Sequence, residues 1–225
     1  MDITKWAEDL TEEVYNEWKT KYSFWKDGFE VFYSPVRYRP GLMIISLNPG
    51  GGEKDFQALD FPKFQDENFS LPPKNRYLIT KYRFAKKVRT LFEGNEDVLK
   101  TSVVTTALLF RSQKIDYWKK NNPEETRLPM ERFAYDKVQE IMKKVKPKKV
   151  LVIGVDAYNR LRKNIIKIEN ENIVEKTTIG RIITANAGCI DILIIPHLTG
   201  PHVSHKNMDK MKKAFVGFLN LTKNS

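Results

Sequence analysis

The sequence predicts an α/β fold with a mostly parallel sheet covered by helices on both faces. Three observations predict it. Short continuous apolar runs recur, namely "GLMIISL" (41–47), "SVVTTALLF" (102–110), "KKVLVIG" (148–154) and "DILIIPH" (191–197). Helical periodicity separates them. None carries the apolar/polar alternation of a half-solvated strand, so burial on both faces is expected.

The elements follow in order. Trp6, Leu10, Val14 and Trp18 recur every four positions and predict an amphipathic N-terminal helix. Residues 41–47 form the first strand, and 53–75, rich in Phe, Pro, Asp and Asn, read as loop. Leu78, Tyr82, Ala85, Val88 and Leu91 predict one helix. The second strand follows, then a helix lined by Met130, Phe133, Ala134, Val138, Ile141 and Val145. The third strand stops at Gly154, with a helix from about Asp156. "RIITANAG" and "DILIIPH" read as strands joined by a turn at Ala187-Gly188, and Met208, Met211, Phe215, Phe218 and Leu219 mark the last helix. No linker divides the chain. One domain over 1–225 is expected, with residues 1–30 as a helical extension packed on it.

Charge narrows the function class. The 225 residues hold 39 Lys and Arg against 28 Asp and Glu, a net of +11. Residues 1–30 carry eight acids and four lysines, so the remainder is strongly basic. A basic body favours a polyanionic partner, nucleic acid first and an anionic membrane second; a lysine-coated soluble protein is the competing explanation. No 18-residue apolar run suits a membrane span, and the acidic amphipathic start is unlike a secretory signal. The single Cys189 allows no internal disulfide and fits a reducing, cytoplasmic setting.

In parallel sheets, ligands bind beyond the carboxyl ends of the strands. Four stretches therefore rank first. In "LNPGGGEKDF", Pro49 biases Asn48 toward extended backbone, and the glycines let a ligand approach the main chain. Asn48 then offers an uncharged hydrogen-bonding group to a cleft, although Asn-Pro-Gly is also ordinary turn chemistry. The stretch is neither a Walker A loop nor GxGxxG. In "IIPHLTGPHVSHKN", His197, His202 and His205 fall within nine residues. Imidazoles suit zinc, but no second cysteine or carboxylate pair completes a set, so anion contact by the loop and Lys206 ranks above metal. Thr105, Thr106 and Arg111 close the second strand. The run "KKVKPKK" (143–149) reads as a solvated helix end.

Together these stretches resemble the uracil-DNA glycosylase superfamily, over about residues 40–220. "GLMIISLNPGG" looks like its first motif, whose Asn-Pro-Gly form is similar to the single-strand-selective and mismatch-specific branches. "TSVVTTALLFRS" and "LPMERFAYDKVQEIMKKVKPKKVLVIGVDAYNRL" look like the central segment, and "IIPHLTGP" like the second motif, usually His-Pro-Ser-Pro. The resemblance implies a three-layer α/β/α fold around a mostly parallel four-stranded sheet. It implies Asn48 orienting the hydrolytic water and His197 stabilising charge on the departing base. Phe61, 13 residues after Asn48, would stack on the flipped base. Thr106 holds the base-reading position, Gly50 and Gly51 leave room for the nucleotide, and Pro201, His202, Val203, Ser204 and Lys206 would contact DNA. No metal or cofactor is required, the partner is DNA rather than membrane, and a monomer is expected. Thr106 stands where uracil readers carry Asn, and a hydroxyl cannot make the two-point amide contact. The expected activity is thus monofunctional excision of uracil or another modified base, bulky bases of foreign DNA included. A DNA-binding protein on the same scaffold without catalysis, and a metal-dependent hydrolase using the histidines, remain the alternatives.

Overall fold

A computed structural model describes residues 2–199 and 203–221. It is an α/β fold built on one mixed, six-stranded sheet of order β2-β1-β3-β6-β5-β4. The strands are β1 (Met43–Ser46), β2 (Val103–Thr106), β3 (Lys149–Ile153), β4 (Asn170–Thr177), β5 (Gly180–Ala187) and β6 (Ile190–Ile195). β2, β1, β3 and β6 are parallel, while β5 and β4 add on antiparallel. The expected count of four is thus corrected to six. β5 was visible as an apolar segment, but β4 was not. Its sequence, NENIVEKT, is almost wholly solvent-facing and carries no burial pattern to read.

Ten helices lie among the described residues: α1 (Ile3–Glu17), α2 (Glu53–Leu59), α3 (Phe61–Gln65), α4 (Arg76–Ile79), α5 (Arg83–Leu91), α6 (Glu96–Thr101), α7 (Ile115–Asn121), α8 (Glu124–Val145), α9 (Val155–Asn164) and α10 (His205–Asn220). A π-helical turn (Trp18–Tyr22) extends α1. α2 and α3 occupy the stretch read as loop. The helix expected over 78–91 is broken into α4 and α5, because Thr80 is extended and the chain restarts at Tyr82.

Two apolar clusters divide the parallel strands by the period of two. Met43, Ile45, Val150, Val152, Ile192 and Ile194 join one, with α1, α8 and α9. Ile44, Leu151, Ile153, Leu193 and Ile195 join the other, with α5 and α10. This explains why these strands read as unbroken apolar runs. α1 is more than an extension: Trp6, Leu10 and Val14 are buried in the first cluster, and Lys137 of α8 pairs with Glu13 at 2.6 Å. The outer edge of β2 is covered by residues 30–34. Tyr33 N–H donates to Val104 O, Val104 N–H to Ser34 Oγ, and Thr105 Oγ1 to Val31 O. No described helix is long and apolar enough to cross a membrane.

Candidate functional site

Because β1 and β6 run parallel, their carboxyl ends deliver Asn48 and His197 to the same rim of the sheet. Between them opens a cleft of about 190 Å³. Asn48, Gly50, Gln113, His197 and Thr199 line it together with an aromatic wall of Tyr33, Tyr77, Tyr82 and Phe84. Asn48 and His197, 149 positions apart, are thereby brought to one cavity.

The Asn48 amide is fixed in one orientation. Its Nδ2 donates to Pro49 O and to Ser112 O, both at 2.8 Å. Two carbonyls can only face the amide nitrogen, so Oδ1 is the atom turned away from them. No described residue donates to Oδ1, which leaves it as an acceptor. The loop is held from behind: Ser112 N–H donates to Pro49 O, and Arg111 Nη1 to Gly50 O, both at 2.9 Å. Arg111 is itself 4% exposed and paired with Glu30 at 2.7 Å and Asp60 at 2.5 Å. Arg76 completes a ring of four charges, 2.8 Å from Asp60 and 2.5 Å from Glu30. The Arg76–Glu30 contact is an ion pair without hydrogen-bond alignment. Burial pushes the Asp60 carboxyl up, but Arg76 and Arg111 outweigh it and hold Asp60 below its ordinary value.

His197 is set differently. Its ring lies over the backbone at Gly154, where a Cβ would come within 3.5 Å of Cδ2 and φ is +105°. Phe84 flanks it at 5.3 Å between ring centroids. Nδ1 lies 3.3 Å from Thr199 N and 3.1 Å from Thr199 Oγ1. A backbone N–H can only donate, so Nδ1 is the acceptor and Nε2 carries the proton of the neutral ring. The residue is open to the cleft on one side, yet the surrounding protein desolvates the ring. That lowers its pKa from the ordinary value, against the pull of the Asp156 carboxylate. At neutral pH the cleft thus holds a neutral imidazole with its Nε2–H available.

The other predicted positions divide. Gly50 lines the cleft, and a Cβ there would meet nothing within 4 Å. Gly51 does not line it; its φ of +92° and the Asp55 carboxylate, which caps α2 through Gly52 N–H, account for its bareness. Phe61 is turned away: its ring packs edge-on against Trp18 at 6.0 Å and lies 5.7 Å from Phe56. Thr106 is fully buried, and its hydroxyl is spent on Leu108 O at 2.7 Å. Neither reaches the cleft, which corrects both expectations. Ser204 caps α10 by accepting from Asn207 N–H, Val203 packs on the second core cluster, and Lys206 is exposed. Pro201 and His202 lie outside the described residues. Among the described residues, no group of three or more His, Cys, Asp or Glu side chains is placed to hold a metal ion.

Sequence reading missed the aromatic wall. Burial raises the phenols of Tyr33 and Tyr77 well above their ordinary value, so both remain protonated donors. The available signal was the density of aromatics in "NRYLITKYRF" between the first two strands; the break between α4 and α5 is what turns Tyr82 and Phe84 into the cleft. Compared with known proteins, the chain matches no family model and no curated protein.

Proposed function

We propose that the protein is a monofunctional DNA glycosylase that flips an altered base into this cleft and hydrolyses its glycosidic bond. The observation that carries the proposal is the pairing of a fixed Asn48 Oδ1 with a neutral His197 Nε2–H in one aromatic-lined cavity, at the carboxyl ends of two parallel strands that flank β3. A duplex or stacked strand cannot present C1′ to such a cavity, so the nucleotide must leave the stack. Phe84 and Tyr82 offer the stacking surface that Phe61 does not, at ~1–3 kcal/mol per base. As the C1′–N bond breaks, its electron pair moves onto the base, and His197 Nε2–H donates a hydrogen bond to that developing charge. Asn48 Oδ1 accepts from the attacking water. The water oxygen bonds to C1′, and its proton ends on the departing base. Preorganised donors of this kind contribute roughly 3–4 kcal/mol each. Asn48 is neutral and a poor base, so turnover is slow compared with a carboxylate at the same place.

The mixed six-stranded sheet with apolar clusters on both faces supports a general α/β scaffold for this reading. The buried Thr106 supports a base other than uracil, because the position expected to read uracil is inaccessible. It also motivates the second reading, a DNA-binding protein of this scaffold that does not excise. A panel of single- and double-stranded DNAs bearing uracil, hypoxanthine, 5-hydroxymethyluracil or phage-type modified cytosines separates them. Release of one base, abolished in Asn48→Ala and His197→Ala with the fold retained, supports the glycosylase. DNA binding without release across the panel supports the second reading.

A further inference from the structure

A second concave surface lies beside the cleft. It has a volume of about 470 Å³ and sits between α7, the amino-terminal half of α8 and α9. Its lining holds five cations, Lys119, Arg127, Arg132, Arg160 and Lys163, against two carboxylates, Glu131 and Asp156. Glu131 is consumed internally: it accepts from Trp118 Nε1 at 2.9 Å and pairs with Arg160 at 2.8 Å and Arg127 at 3.3 Å. Lys119, Arg132 and Lys163 are exposed and have no hydrogen-bond or ion-pair partner among the described residues. An adjoining hollow shares Asn159 and Lys163 and adds Arg162 and Lys167 together with Glu169 and Glu171, with Arg162 paired to Glu171 at 3.4 Å.

Two separate chain segments connect this groove to the cleft. Ser112 and Gln113 line the cleft, and two residues on, Ile115 lines the groove. Gly154 lies under His197, and two residues on, Asp156 lines the groove. Both segments thus lead from the cleft to the cation-lined groove between α7 and α9.

We infer that this groove binds phosphate groups, those of the strand on either side of the nucleotide held in the cleft. The inference rests on the DNA reading above. Three unpaired cations in a concave setting match successive phosphodiesters, whereas a free nucleotide would use the same chemistry at one point only. Each phosphate neutralised on a single strand contributes about 0.7 to the dependence of log affinity on log salt concentration.

The test is binding of a fluorescent, unmodified single-stranded DNA between 50 and 300 mM salt, on the full chain. A triple charge reversal, Lys119→Glu, Arg132→Glu and Lys163→Glu, is compared with the wild type. The control reverses Lys100, Lys146 and Lys148 to Glu; these precede β2 and β3 and so lie at the opposite end of the strands. All six side chains are exposed, and thermal unfolding verifies that both variants fold. The groove variant should lose at least tenfold in affinity at 100 mM salt, and its salt slope should fall by about 2, with the control near wild type. Equal affinity in wild type and groove variant, or an equal loss in the control, overturns the inference. So does a 5′-mononucleotide that binds the wild type as tightly as the oligonucleotide. Because the DNA carries no altered base, this outcome is independent of base release. Binding without excision would leave the groove standing and remove the glycosylase reading.

Discussion

The two walls of the cleft are held by different physics. Asn48 is anchored through its loop to Arg111, and through Arg111 to a buried ring of Glu30, Asp60 and Arg76. His197 is placed by one glycine, one threonine and one phenylalanine. The first wall couples the site to the stability of the whole fold. The second can be altered locally. Substitutions should therefore separate into those that unfold the protein and those that change only chemistry.

The largest effect is expected at the ring. Arg111→Leu leaves Glu30 and Asp60 short of a partner and frees the Gly50 carbonyl. We expect a loss of about 3–5 kcal/mol in stability by denaturant unfolding, the cost of breaking one side of a buried pair. Retention of wild-type stability would remove the distinction between the walls. On the other wall, His197→Ala should lower the rate of base release roughly 100- to 1000-fold, while the unfolding midpoint changes little. Asn48→Ala should do the same, since Nδ2 leaves only carbonyls behind and the loop keeps its Arg111 anchor.

Smaller substitutions sharpen the contrast. Gly154→Ala forces a Cβ into left-handed backbone under the imidazole. About 1–2 kcal/mol of destabilisation is expected, with a loss of activity larger than stability alone explains. Thr199→Val removes one hydroxyl but keeps the backbone N–H on Nδ1. A change of about 1 kcal/mol or less in activation energy is expected.

Acid should act on the two walls in separate ranges. The lowered His197 pKa keeps the ring neutral below its ordinary value, so base release should be flat above about pH 6.5 and fall only beneath it. Protonation at Nδ1 would also set N–H against the Thr199 N–H. Asp60, held low by Arg76 and Arg111 against burial, stabilises the fold above the ordinary carboxylate range. That contribution is lost as pH falls through the Asp60 value in the folded protein, below the histidine transition. Activity should therefore fail before structure does; a single transition for both would contradict the separation.

The same contrast decides what could be read from the chain. Strands buried on both faces announce themselves, so 41–47, 148–154 and 191–197 were legible, and with them Asn48 and His197 at their ends. Local chemistry marked Gly154 as the strand stop. The ionic ring draws on residues 30, 60, 76 and 111, four unconnected segments with no shared spacing, and nothing local distinguishes those charges from surface ones. Phe61 was placed by its distance from Asn48, but spacing does not say which way a ring faces. Trp18 and Phe56 claim it for the core. Thr106 sat at the right strand end, yet a hydroxyl beside a free carbonyl satisfies itself locally, here on Leu108 O. The aromatic wall depends on a helix break that periodicity smoothed over.

If Asn48 and His197 form one hydrolytic site, base release should need both. The most direct test is base release from the panel of altered-base DNAs, comparing wild type with the Asn48→Ala, His197→Ala double variant. Release of at least one base is expected from the wild type and none above background from the double variant, at equal thermal stability. Undiminished release by the double variant, or no release by a wild type that binds the DNA, would contradict a shared hydrolytic site.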